Sequence, residues 1–198
     1  MIHAIAAITA LAQQCAPEIA TEAVLPLIMT ESGGDDLSIN INKGPRARAG
    51  SVAQGAALAR RYIAAGHSVD VGLAQVNSNN FARLGVTIEQ VFEPCTNLRL
   101  ASLILQEGYA RARRHYRGLD ALAATYSLYN TGTLTRGFRN GYVNRIWSAA
   151  SALSSNPKPS STPTSLRRAV PTTPANGPTD SDSWVIGPIA ATAITVFE

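Results

Sequence analysis

The chain has 198 residues and a mass of 20.9 kDa, enough for one ordinary domain or a smaller domain with an appendage. Apolar residues make up 45 % and charged residues 15 %, and the absence of any run of 18 apolar residues excludes a conventional membrane-spanning helix. The net charge of +4 is unevenly placed. Residues 1–150 hold 14 of the 17 Lys and Arg and 10 of the 13 Asp and Glu, whereas residues 151–198 are neutral and hold 7 of the 11 prolines.

The opening stretch MIHAIAAITALA has the apolarity of a secretory leader. It lacks a Lys/Arg n-region and runs into Gln13, Gln14 and Cys15, so it reads equally as the domain's first helix. The spacing predicts a helix over 17–31, with Pro17 in its first turn and Ala20, Val24, Leu27 and Glu31 on one stripe. Pro26 predicts a kink there, and Gly33 and Gly34 end it. Residues 35–50 are polar and predict a loop. Ser51 with Gln54 forms a capping box that opens a helix closed by Gly66.

The segment DVGLAQVN at 70–77 is short and broken by glycine, which argues against a strand. Thr87 with Gln90 caps a further short helix, and Pro94-Cys95 interrupts. A long helix follows over about 96–116, with Leu100, Ile104, Leu105, Tyr109 and Ala112 at helical spacing. Asp120 is expected to cap a helix ending near 129–132, and a last helix spans about 141–152. Residues 1–152 therefore predict an all-α domain, or α with a minimal β element. Residues 153–198 are rich in Pro, Ser and Thr without periodicity, the composition of a disordered, flexible tail. Its apolar end, 184–197, is too short to span a bilayer.

The charge of +4 suits an anionic partner such as a polyanion, a lipid surface or a cell-wall polymer. Arg111, Arg113, Arg114 and Arg117 are the densest basic cluster. Without a zinc-finger, phosphate-loop or RNA-reading motif beside them, they read as a solvated helix face and not as a nucleic-acid patch. Cys15 and Cys95 match no metal spacing and are either separate thiols or one long-range disulfide. His3, His67 and His115 are too dispersed to pair with a nucleophile or to ligate a metal, so no metal or cofactor is expected.

Glu31 is the informative residue, an acid on an apolar stripe at the carboxyl end of a helix. Desolvation and the negative end of the helix dipole would both raise its pKa, which a general acid near neutral pH needs. On spacing alone, a solvated or arginine-paired Glu at a frayed helix end is the competing reading. Asp35 and Asp36 lie nearby in a polar loop and read as solvated acids rather than a second catalytic group.

Four motifs occur in order: Glu31-Ser32-Gly33-Gly34, then GLAQVN at 72–77, then Tyr129-Asn130-Thr131-Gly132, then Gly141-Tyr142-Val143. Together they resemble the soluble lytic transglycosylases, lysozyme-like enzymes that cleave peptidoglycan. The run LAQQCAP at 11–17, the segment AAGHSVDVGLAQVN at 64–77 and PCTNL at 94–98 are similar to the branch found in type IV secretion and conjugation systems. The resemblance covers about residues 12–150.

It implies a lysozyme-like fold, a Cys15–Cys95 bridge and a location in the periplasm or cell envelope. It also implies cleavage of the β-1,4 bond between N-acetylmuramic acid and N-acetylglucosamine, with 1,6-anhydro ends. Glu31 would be the catalytic acid and base, and Ser32 would orient it or the substrate. Gln75 and Asn77 would line the glycan cleft, Tyr129 would hold or polarise Glu31, Asn130 would shape the same wall, and Tyr142 would pack beside the site. The partners implied are peptidoglycan strands and, through the tail, components of a secretion system. A hydrolytic muramidase and a non-catalytic glycan-binding module are the alternatives.

Overall fold

The computed structural model describes residues 1–155; the expected tail, including its apolar end, lies outside the described residues. Helix α1 (Ile5–Cys15) answers the question left by the opening stretch. Ile8, Ala12 and Cys15 are buried, so this segment is a core helix of the domain. The chain then turns at Ala16, whose carbonyl accepts from the Ile19 amide at 3.1 Å. Helix α2 therefore runs Thr21–Glu31, four residues shorter than expected, and Pro17 falls in the turn. Pro26 sits inside α2 without ending it, and its own carbonyl accepts from the Thr30 hydroxyl at 2.8 Å.

The predicted loop 35–50 contains strand β1 (Ile39–Ile41), which the sequence reading missed. Helix α3 (Val52–Ala64) follows, with Ser51 accepting from the Gln54 amide at 3.2 Å. The returning arm of the box lands one residue early, because Gln54 Oε1 accepts from the Gly50 amide at 2.7 Å. Strands β2 (Val69–Val71) and β3 (Val76–Asn77) occupy the segment that its glycine argued against as a strand. These three strands form an antiparallel sheet in the order β1-β2-β3, pairing Asn40 with Asp70 and Asp70 with Asn77. Each is too short to announce itself by periodicity, and each gains its hydrogen bonds only from a distant or hairpin partner.

A 3₁₀ turn (Ser78–Asn80) leads into α4 (Phe81–Leu84) and α5 (Ile88–Phe92), the latter with the complete Thr87–Gln90 capping box. Pro94 opens α6 (Pro94–Ala112) instead of breaking it, since a missing N–H costs nothing in a first turn. Glu93 caps that helix, accepting from the Cys95 and Thr96 amides at 2.9 and 2.6 Å. The helix stops at Ala112, four residues early, because the His115 and Tyr116 amides both close onto the Ala112 carbonyl. Helix α7 (Gly118–Thr131) starts at the Arg117 cap, so Asp120 lies in its first turn and is not the cap. Short α8 (Arg136–Arg139) and long α9 (Tyr142–Ser155) complete the described chain.

Helices α6 and α7 pack along each other, α2 packs on α9, and α1 lies across α6 and α2. Ile8, Leu27, Ile28, Phe92, Leu98, Tyr126 and Ile146 are fully buried between them. The sheet turns Ile39, Ile41, Val69, Val71 and Val76 into this core. The domain is thus helical with a minimal sheet, as the sequence predicts.

Cys15 and Cys95 form a disulfide, with Cα atoms 5.2 Å apart and 80 residues between them in sequence. It pins the end of α1 to the start of α6. Closing a loop of that length stabilises by about 4 kcal/mol in the chain-entropy account. Replacing both cysteines by alanine is expected to lower unfolding free energy by about that amount in urea titration, with far-UV circular dichroism unchanged.

Candidate active site

Glu31 ends α2 where the Ser32-Gly33-Gly34 turn begins. Gly34 has a φ of +87°, and a Cβ there would sit 2.8 Å from the Ile8 side chain, so no other residue fits this turn easily. Ser32 serves the turn: its hydroxyl donates to the Ile28 carbonyl at 3.3 Å and accepts from the Gly34 amide at 3.1 Å. It bonds to backbone, not to the Glu31 carboxyl.

The Glu31 side chain is mostly enclosed by protein yet keeps an opening to solvent. Burial is the main cause that pushes its pKa up, to about 7, and the Asp70 charge acts in the same sense. The Tyr142 hydroxyl and the Arg145 guanidinium oppose the rise. Tyr142 donates its hydroxyl directly to Glu31 Oε1 across the α2–α9 interface. That hydroxyl is held far above its ordinary pKa by burial and by the Glu31 charge, so it remains a donor.

The partner that the resemblance assigned to Glu31 was Tyr129, and here the geometry differs. Tyr129 donates to the Ala74 carbonyl at 2.7 Å, tying the end of α7 to the β2–β3 turn. Its hydroxyl is raised by burial and feels the charges of both Glu31 and Asp70. Asn130 likewise acts at one remove: its Oδ1 accepts from Asn140 Nδ2 at 2.9 Å, and Asn140 Oδ1 accepts from the Tyr142 amide at 3.0 Å. Tyr129 thus sets the turn, while Asn130 helps to set Tyr142.

The β2–β3 turn is tied to this region through the Tyr129–Ala74 bond. Gln75 has a φ of +49°, rare for a residue with a side chain, and its amide donates to the Gly72 and Ser38 carbonyls at 2.9 and 3.1 Å. Asn97, fully buried on α6, clamps the turn from behind. Its Nδ2 donates to the Val71 and Val91 carbonyls at 2.9 and 2.8 Å, and its Oδ1 accepts from the Ala74 amide at 2.8 Å. Gly72, at φ +81°, lies against it so closely that a Cβ would approach Nδ2 to 2.4 Å.

Asn77 donates to Asp70 Oδ1 at 2.5 Å and accepts from the Asn79 amide at 3.0 Å. Asp70 and Arg145 are the charged neighbours of Glu31 that the sequence reading missed. The signal for Asp70 was present in Val69-Asp70-Val71, where a strand alternates and its acid must leave the core face. Asp36 instead pairs with His3 at 3.0 Å, and Asp35 accepts from the Leu37 amide at 3.1 Å. Among the described residues no group of three or more His, Cys, Asp or Glu is gathered to hold a metal ion. The Arg113, Arg114 and Arg117 cluster lies at the other end of α6, where Arg117 donates to the Arg113 and Tyr116 carbonyls and caps the helix.

The structure is a helical domain with a small sheet and a mostly enclosed glutamate at the end of a helix. Residues 9–146 match the transglycosylase SLT domain, and the chain belongs to that family. Among named proteins it is similar to the virB1 protein of Rhizobium radiobacter, at 37 % identity over 72 % of this chain and 60 % of the relative. It is also similar to the type IV secretion system protein virB1 of Brucella suis biovar 1, at 34 % identity over 71 % of this chain and 62 % of the relative. The matched part spans about 60 % of the length of the virB1 relatives. No solved structure gives a significant match.

The raised pKa of Glu31 has a consequence for stability. The folded state binds this proton more tightly than the unfolded chain, so stability falls as pH rises from about 4.5 to about 7. Glu31→Gln removes that dependence. Thermal unfolding is expected to show the variant stabilised over wild type by at most about 3 kcal/mol at pH 8, with the gain absent at pH 4.

Proposed function

We propose that the protein is a lytic transglycosylase that cleaves the β-1,4 bond between N-acetylmuramic acid and N-acetylglucosamine in peptidoglycan. The observation that carries this is Glu31, buried, hydrogen-bonded by Tyr142 and raised to about 7, in a domain of the transglycosylase family. Such a group is protonated often enough near neutral pH to act as an acid, and ionised often enough to act afterwards as a base.

Protonated Glu31 gives its proton to the glycosidic oxygen, and the bond from that oxygen to C1 of the muramic residue breaks. The N-acetyl group of the same sugar supports the positive charge that develops, a substrate-assisted route. Ionised Glu31 then takes the proton of the C6 hydroxyl, and O6 closes on C1 to give the 1,6-anhydro end. Glu31 regains its proton, and no water is consumed. The Tyr142 hydroxyl favours the ionised form of Glu31 in the second half and fixes the carboxyl throughout.

The names of the relatives support the setting. We propose that residues 1–152 open the wall locally for a type IV secretion or conjugation apparatus in the periplasm or envelope. The Pro/Ser/Thr-rich residues 153–198 would meet its other components. Among the described residues no helix is long and apolar enough to cross a membrane. The +4 carried by the first 150 residues suits approach to an anionic wall polymer.

Mass analysis of products from purified glycan strands tests the reading. Wild type is expected to release fragments lighter by one water than hydrolytic fragments, and Glu31→Gln is expected to release none while remaining folded. Reducing-end sugars from wild type would identify a hydrolase instead. Tyr142→Phe removes a donor that lowers the pKa of Glu31, so the basic limb of its pH–rate profile is expected to move to higher pH. A limb unmoved by this change would show that the contact does not set the protonation of Glu31.

A further inference from the structure

A cavity of about 460 Å³ lies where α6 hands over to α7, lined by Tyr109, Ala110, Arg113, Arg114, Tyr116 and Arg117. The sequence predicts a solvated helix face for these arginines, and the structure differs. Helix α6 stops at Ala112, and the His115 and Tyr116 amides close onto the Ala112 carbonyl. Arg113, Arg114 and Arg117 therefore leave the regular spacing of a helix and converge around one hollow. Tyr109 is buried there, packed with Ala121 of α7 and with Tyr116.

The fold itself uses the guanidinium of Arg117, which donates to the Arg113 and Tyr116 carbonyls. Those of Arg113 and Arg114 make no hydrogen bond or ion pair among the described residues. Residues 108–121 hold four arginines and a single acid, Asp120, which forms no ion pair among the described residues either. Gathering like charges destabilises a compact state, and no partner inside the domain offsets it here. Two residues beyond Arg117, Leu119 is 59 % exposed. Only Met1 and Ile2, at the start of the chain, exceed it among the exposed large apolar side chains of the described residues.

We propose that this end of the α6–α7 hairpin docks on an anionic phospholipid surface, with a headgroup phosphate in the cavity between Arg113 and Arg114 and with Leu119 entering the acyl boundary. Guanidinium groups match phosphate oxygens in a paired, forked geometry. The cavity falls in the range of about 300–1,000 Å³ that holds small ligand groups. Cations, a tyrosine ring and an exposed leucine side by side are what a surface lying in a membrane interface needs. An acidic peptide or a wall polymer would satisfy the arginines and leave Leu119 in water. The docking surface is also remote from the cleft. Helix α7 has 14 residues, about 20 Å of helix, and Tyr129 near its other end bonds to the β2–β3 turn. A domain seated in this way turns Glu31 away from the bilayer. The proposal concerns where the domain sits and stands whether or not Glu31 cleaves glycan.

Vesicle cosedimentation of the full chain tests it, comparing wild type, the double variant Arg113→Gln/Arg114→Gln, and Leu119→Gln. Wild type is expected to sediment with vesicles of mixed phosphatidylglycerol and phosphatidylcholine and not with phosphatidylcholine alone. Each arginine near an anionic surface strengthens attachment about fivefold, so the double variant is expected to bind about 25-fold more weakly. Leu119→Gln is expected to weaken binding about fivefold while leaving its salt dependence unchanged. Melting temperatures and cleavage of soluble glycan strands are expected to be unaltered, because these side chains are exposed and lie away from Glu31.

Wild type that does not distinguish the two kinds of vesicle, or a double variant that binds as wild type does, would overturn the proposal. So would tighter binding to soluble polyglutamate or to peptidoglycan sacculi than to vesicles, with Leu119→Gln neutral, which would assign the arginines to an acidic segment or to the wall. Release from vesicles by low millimolar inorganic phosphate, again with Leu119→Gln neutral, would assign a site for free phosphate and equally overturn the docking.

Discussion

A carboxyl group can be enclosed at the end of α2 only if something on a neighbouring element satisfies it, and the Tyr142 hydroxyl on α9 does so. This contact joins positions 111 residues apart, so it exists only when α2 and α9 are packed together. Much of the surrounding structure secures that packing. Tyr126 on α7 donates to the Ala23 carbonyl of α2 at 2.8 Å, and its ring meets Trp147 of α9 edge-on with centroids 5.8 Å apart. Asn140 caps Tyr142, and Asn130 holds Asn140. Tyr126 holds the start of α2 and Tyr142 meets the acid at its end.

The opposite wall is built by a different device. Between β2 and β3, Gly72 takes a positive φ freely, whereas Gln75 does so at a cost. Asn97 repays this with three hydrogen bonds inside the core, where an unmet backbone group would cost about 1–3 kcal/mol. Two of the three reach the turn and its strand, at Val71 and Ala74, and Tyr129 adds another by binding the Ala74 carbonyl. The turn is gripped from both sides, which is how a four-residue loop can serve as a rigid wall. The disulfide steadies the same region, since Cys95 lies in the first turn of the helix that carries Asn97.

The distribution of charge follows the same division of labour. Of the two acids at the site, Glu31 is mostly enclosed and Asp70 accepts from the side-chain amides of Asn40, Asn42 and Asn77. Arg145 bears on Glu31, Asp70 makes no ion pair among the described residues, and Arg113, Arg114 and Arg117 gather at the far end of α6.

The order of the helices, their amphipathic stripes and the placement of Glu31 were legible because each is written locally, in spacings of three and four residues and in caps such as Thr87 with Gln90. The family motifs marked Gln75, Asn77, Tyr129, Asn130 and Tyr142 as belonging to one region. Which of them touches Glu31 was not legible. Tyr129 and Tyr142 are both tyrosines near the ends of helices, and only the packing angle of α7 and α9 on α2 decides that Tyr142 reaches the acid while Tyr129 reaches the turn. The sheet was hidden for a related reason: strands of two or three residues carry too little pattern, and their bonds come from partners about 30 residues away or across a four-residue turn. Asp70 stayed unrecognised with them. The amino-acid order determined the helices, the acid and the likeness to a family. Tertiary structure alone decided the hydrogen-bond partners of Glu31 and Asp70, because these depend on contacts between segments that the chain brings together only when folded.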